Sequence, residues 1–143
     1  MSRPIRVLLA EDNLGDAELV RDTFEDSKFH LELTVVADGV QALDYLHKRG
    51  DFEYVTTPDI LILDLNLPRI DGKQVLIHVR AEPTLATLPI VILTSSDAER
   101  DIRQSYALGA NCYVTKAMDL HAFQAVLRSI DHFWFNAAKL PGI

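Results

Sequence analysis

Three stretches of this chain are nearly unbroken apolar runs, and each stops at a polar side chain. Val7-Leu8-Leu9-Ala10 is followed by Glu11-Asp12, Ile60-Leu61-Ile62-Leu63 by Asp64, and Ile90-Val91-Ile92-Leu93 by Thr94. Runs of this kind are expected for strands covered on both faces, as in a parallel sheet. Ile5 to Ala10, Leu31 to Ala37, Ile60 to Leu63, Ile90 to Thr94 and Cys112 to Thr115 are therefore predicted strands. Helical patterns alternate with them. Ala17, Val20 and Phe24 share one face of the first, and Val40, Leu43 and Leu46 serve the second, which Gly50 is expected to end. Val75, Leu76 and Val79 serve the third, stopped near Pro83. Ser96 followed by Glu99 three residues on reads as a capping box opening a fourth helix that stops at Gly109. A fifth runs from about Asp119 to Ala138.

Five strands alternating with five helices predict an α/β fold, a doubly wound parallel sheet with helices on both faces. Such sheets bind ligands beyond the carboxyl ends of their strands, where the strand order reverses. With the order 2-1-3-4-5 the first and third strands are neighbours, and Glu11, Asp12 and Asp64 meet. Thr94 and Lys116 end two further strands on the same side. The predicted pocket holds three carboxylates, a hydroxyl and one ammonium. That leaves uncompensated negative charge, so either a cation binds or at least one carboxyl titrates high. Mg²⁺ suits oxygen ligands of this kind and commonly bridges carboxylates to a phosphate. A carboxylate held beside such an ion can take a phosphoryl group. Each residue alone has a plainer role: a strand-end Asp caps a helix, and an acidic pair favours a helix N-terminus. Their joint occurrence at the ends of different parallel strands is what points to one site.

Composition narrows the function further. A chain of 143 residues with 48% hydrophobic content suits one globular domain. Its net charge of −7 argues against a nucleic-acid surface, which needs clustered Lys and Arg. The single Cys112 excludes an internal disulfide, and its place in a strand suggests inert core. The run after Arg3 and Arg6 is too short for a signal peptide or membrane span, so a cytoplasmic location is expected. His30, His47, His78, His121 and His132 lack metal-ligand spacing. Asp97, Glu99, Arg100 and Asp101 read as a solvated helix face.

Four motifs in order carry a resemblance to the receiver domains of two-component response regulators. They are Leu9-Ala10-Glu11-Asp12-Asn13, Asp64-Leu65-Asn66-Leu67-Pro68 with Asp71-Gly72, Leu93-Thr94-Ser95-Ser96, and Tyr113-Val114-Thr115-Lys116. The resemblance covers essentially the whole chain and implies a flavodoxin-like (βα)5 fold forming a single receiver domain over 1–143, with no output domain. It implies that Asp64 accepts a phosphoryl group from a sensor histidine kinase. It assigns Asp12, Asp64 and the Asn66 carbonyl as ligands of Mg²⁺ or Mn²⁺, with Glu11 acting through a coordinated water. Lys116 becomes the phosphoryl-binding lysine, and Thr94 and Tyr113 the switch pair. Ala117 departs from the family, where proline with a preceding cis peptide is usual. Either a cis Lys116–Ala117 bond persists, at a cost of roughly 3 kcal/mol, or the loop differs; cis is the expectation here.

The segment from Gly50 to Pro58 and the chain's ending are similar to the small response regulators paired with cyanobacterial phytochromes. This implies a light-sensing kinase as phosphodonor and a homodimer through the fourth helix, fifth strand and last helix, with about 119–143 contributing. The last helix carries an apolar stripe of Leu120, Phe123, Leu127, Ile130 and Trp134, with Val126, Phe133 and Phe135 outside it. Such extra apolar residues either pack locally or form a partner surface.

Three other functions are weighed. A dehalogenase-like phosphatase would also use a strand-end Asp with Mg²⁺, but it needs a second Asp two residues on as general acid and base. Asn66 stands there and cannot exchange a proton at neutral pH. A flavin carrier would need phosphate donors after the first strand, where Glu11 and Asp12 repel phosphate. A binding module without phosphorylation would not need Asp12, Asp64, Thr94 and Lys116 together.

Overall fold

The computed structural model describes residues 3–142. Strands β1 (Ile5–Ala10), β2 (Leu31–Val36), β3 (Ile60–Leu63), β4 (Ile90–Thr94) and β5 (Cys112–Thr115) form one parallel sheet in the order β2-β1-β3-β4-β5. Helices α1 (Leu14–Glu25), α2 (Gly39–Leu46), α3 (Gly72–Ala81), α4 (Glu99–Ala107) and α5 (Leu120–His132) alternate with them. The strand order is the one expected, and it sets β1 beside β3 with Ala10 opposite Leu63.

Side chains alternate across the sheet, because successive strand residues point to opposite faces. Leu8, Leu61, Leu63, Ile90 and Ile92 face α2 and α3, where Leu43, Leu46, Leu76 and Val79 complete that core. Val7, Leu9, Ile60, Ile62, Val91 and Leu93 face α1 and α5, against Val20, Phe24, Phe123, Leu127 and Ile130. Every residue of β3 and β4 is buried, as their unbroken apolar runs require.

Two helix termini differ from expectation. α2 ends at Leu46, ahead of Gly50, because Lys48 already takes a left-handed φ of 56°. Gly50 instead opens a short 3₁₀ turn, Gly50–Phe52. Within α2 it is Ala42, rather than Val40, that is fully buried. α4 begins at Glu99 rather than Ser96, and Ala98 occupies its N-cap with no side-chain bond. The capping box does not form because the Ser96 hydroxyl donates to Asp101 Oδ2 at 2.6 Å.

The last helix also shifts phase. After His132 the chain makes a π turn over Phe133–Ala137, closed by the Ala138 N–H donating to the Phe133 carbonyl at 2.7 Å. The extra residue per turn brings Phe135 into the core five positions after Ile130. Phe135, expected outside the stripe, meets Phe24 edge-on with ring centroids 5.2 Å apart. Trp134 is half-buried, and Leu120 is 56% exposed at the other end of the stripe. Phe135→Ala is expected to cost about 3–4 kcal/mol in urea unfolding, from lost burial and the cavity it leaves. Trp134→Ala should cost less.

Candidate phosphoacceptor site

The site lies at the carboxyl ends of β1, β3, β4 and β5. Glu11, Asp64 and Lys116 each follow directly on the last residue of their strand and Thr94 is the last residue of β4, so the backbone delivers them to the rim. Asp64 is buried, and its two oxygens have different partners. Oδ1 accepts from the Thr94 hydroxyl at 2.8 Å and from the Asn66 N–H at 3.1 Å. Oδ2 accepts from Lys116 Nζ at 2.8 Å. The same ammonium lies 2.6 Å from Glu11 Oε1 and donates to Asp16 Oδ2 at 2.9 Å. The other oxygen of Glu11 accepts from the Asn13 N–H at 3.1 Å. Asp12 is exposed at the mouth, yet Glu11, Asp12 and Asp64 each offer a carboxylate oxygen, all within 4.8 Å of one another.

Gly72, at the start of α3, allows this loop to close. A Cβ there would collide with the Asp64 carbonyl and Leu65 Cα, and the Gly72 N–H donates to the Leu65 carbonyl at 2.9 Å. The helix therefore rests directly on the backbone that carries Asp64.

Burial raises the Glu11 carboxyl to about 7, with the charge of Asp64 adding to the rise and Lys116 opposing it. Burial would also raise Asp64, but hydrogen bonds from Lys116, Asn66 and Thr94 together hold it below the ordinary carboxylate value. Burial would lower Lys116, and its carboxylate partners Asp64, Glu11 and Asp16 outweigh that and raise it. Four carboxylates thus face one ammonium, a donor set of hard oxygens that fits Mg²⁺ or Mn²⁺. Because Glu11 is raised on folding, the native state binds more protons than the unfolded chain between the ordinary value and about pH 7. Stability of the metal-free protein through this group therefore falls as pH rises across that window. Glu11→Gln is expected to gain on the wild type in melting temperature between about pH 5 and about pH 7.5. Saturating Mg²⁺ should erase the difference.

All residues assigned from sequence arrive at this rim: Glu11, Asp12, Asp64, Asn66, Thr94 and Lys116, with Tyr113 beside it on β5. The Lys116–Ala117 peptide is a correction. The structure has no cis peptide bond among its described residues, and Lys116 still reaches Asp64. Alanine has no ring to favour cis, and the trans loop suffices to place the ammonium. Asp16 was missed. It lies one helical turn beyond Asp12 in α1, where an acid reads simply as a favourable N-terminal charge. Cys112 is half-buried rather than core, with its thiol pushed up by burial.

Fold, strand order and rim chemistry together define a receiver domain. The response regulator receiver domain model matches residues 7–128, and the chain belongs to that family. It is 37% identical over 138 residues to response regulator Rcp1 of Synechocystis sp., covering 96% of this chain and 94% of that protein. The crystal structure of the phosphorylated cyanobacterial phytochrome response regulator RcpA superposes with a TM-score of 0.95 at 37% identity, covering 98% of this chain and all of that one. The Mn²⁺-bound form of Rcp1 also superposes with a TM-score of 0.95 at 37% identity, covering 97% of this chain and 100% of that one. The protein is thus a two-component response regulator receiver related to those of cyanobacterial phytochromes. Among the described residues no helix is long and apolar enough to cross a membrane.

Proposed function

We propose that this protein is a phosphorylation-controlled switch that accepts a phosphoryl group on Asp64 from a phytochrome-type histidine kinase. The carrying observation is that Lys116 and Thr94 hold opposite oxygens of one buried carboxylate whose neighbours are Glu11 and Asp12. An Asp64 oxygen forms the new bond to phosphorus while the donor's P–N bond breaks, and the donor imidazole keeps the bonding electrons. Lys116 neutralises charge on the transferred group, and the Thr94 hydroxyl turns from the carboxylate to a phosphoryl oxygen. Glu11, Asp12, Asp64 and the Asn66 carbonyl would hold a divalent ion. When bound, that ion neutralises charge on the phosphoryl oxygens. Asn66 supplies no proton, which suits a persistent acyl phosphate rather than turnover.

The phytochrome-type donor is supported by the relationship to RcpA, and a divalent ion by the Mn²⁺-bound relative. We read the chain as one receiver domain acting in the cytoplasm. A homodimer through α4, β5 and α5 is proposed, and its β5 and α5 part is supported by a groove of about 260 Å³ lined by Cys112, Val114, Val126, Ser129, Ile130, Phe133 and Trp134. Phe133 is 54% exposed at its lip. Phe133→Asp is expected to shift sedimentation toward monomer, and an unchanged profile would count against this face.

The test of function is incubation with acetyl phosphate, with and without Mg²⁺, followed by intact mass. One phosphoryl group should appear with Mg²⁺ and none with chelator. Sustained release of inorganic phosphate at enzyme-like rates would favour a phosphatase instead.

A further inference from the structure

α4 is attached to the body differently from the other helices. α1 buries Ala17, Val20 and Phe24, α3 buries Val75, Leu76 and Val79, and α5 buries Phe123, Leu127 and Ile130. The fully buried residue of α4 is Ser105, whose hydroxyl has no partner among the described residues. Ile102 and Leu108 are half-buried. A helix with so little apolar anchorage lies at the low-stability end of a fold. What holds it is polar.

Lys73, in the first turn of α3, donates to Asp101 Oδ1 at 2.5 Å and to Gln104 Oε1 at 2.6 Å. The second oxygen of Asp101 accepts from Ser96 at 2.6 Å. Ser96 lies in the loop between Thr94 and α4, and its carbonyl accepts from the Tyr113 hydroxyl at 2.8 Å. Tyr113 in turn packs, half-buried, against the core beneath α2 and α3. Asp101, expected to be a solvated charge, is instead the joint between α3, α4 and this loop. Lys73 follows Gly72, whose backbone rests on Asp64, so the chain of contacts begins at the phosphoacceptor and ends at the ring of Tyr113.

We propose that the Lys73–Asp101–Ser96 chain is a polar tether that holds α4 and its preceding loop in place and keeps Tyr113 turned inward. Lys73 and Asp101 are then positioning residues for the Asp64 site. They act through Ser96, which fixes the carbonyl that Tyr113 binds. Their link to phosphoryl transfer rests on the reading of Asp64 as acceptor, whereas the tether itself does not.

The test uses the full chain labelled with 3-fluorotyrosine, which gives four fluorine signals, one for each tyrosine. Tyr113→Phe assigns the Tyr113 signal, and Tyr54, 92% exposed, supplies the solvent reference. Without metal or phosphodonor, Lys73→Met and Asp101→Asn are each expected to move the Tyr113 signal toward the Tyr54 position. The exchange Lys73→Asp with Asp101→Lys should bring it back, which separates a lost tether from general loosening. Arg103→Ala, which removes the exposed Glu99–Arg103 pair of α4, should leave it unmoved. A Tyr113 signal unchanged in both single variants, or one that the exchange fails to restore, overturns the proposal. A second arm follows phosphorylation by acetyl phosphate with Mg²⁺, where the single variants should react about fivefold more slowly than wild type. Failure of the wild type to react would sink the acceptor reading and leave the fluorine result to decide the tether.

Discussion

Asp64→Asn is expected to take up no phosphoryl group from acetyl phosphate under conditions where the wild type gains one, and to remain folded. The substitution keeps the shape of the side chain and leaves an oxygen for Thr94 and the Asn66 N–H. It removes the nucleophile, because an amide oxygen carries no charge to attack phosphorus. Folding survives because Lys116 retains Glu11 and Asp16 as partners. The charge of Asp64 also no longer adds to the raised Glu11 carboxyl. The expected effect is therefore total on the chemistry and small on the far-ultraviolet circular dichroism. Phosphorylation that persists in this variant would place the acceptor elsewhere.

Lys116→Met separates two roles of one ammonium. In the wild type it sits among Glu11, Asp16 and Asp64, its side chain only 8% exposed, where it competes with any metal ion for the same oxygens. A unit charge about 5 Å away is worth roughly 3 kcal/mol at an effective dielectric near 20. Screening at the open mouth leaves about half of that, so Mn²⁺ affinity should rise by about tenfold. Phosphorylation should nevertheless fall by about 10²–10³, because the donor that neutralises the transferred group is gone. The metal-free variant should also melt at lower temperature, since buried carboxylates lose their counter-charge, and Mg²⁺ should restore much of the loss. Manganese titration by electron paramagnetic resonance and intact mass read the two effects separately. Affinity and phosphorylation falling together would contradict this division of labour.

Much of the site was legible because its signals are local. An apolar run ending in Asp64 or Glu11 states both a strand and the rim it points to, and the parallel order then brings distant rims together. All five strands were placed within a residue of their observed ends, Ala37 alone falling outside β2. The misreadings arise where a tertiary contact outbid a local pattern. Ser96 and Glu99 spell a cap, but the Ser96 hydroxyl is taken by Asp101 across the turn. Phe135 reads as exposed on an ideal helix, and only a π turn, stabilised by the meeting with Phe24, brings it inward. Asp16 and Lys73 meet partners about 100 and 28 positions away, a pairing that no local spacing announces.

The most direct measurement locates the modification itself. Wild-type protein treated with acetyl phosphate and Mg²⁺ is reduced with borohydride, which converts an aspartyl phosphate to homoserine, then digested and sequenced by mass spectrometry. Homoserine at position 64 alone is the expected result. Homoserine at Asp12 or Asp16, or an unreduced chain still carrying phosphate, would contradict the assignment of Asp64 as acceptor.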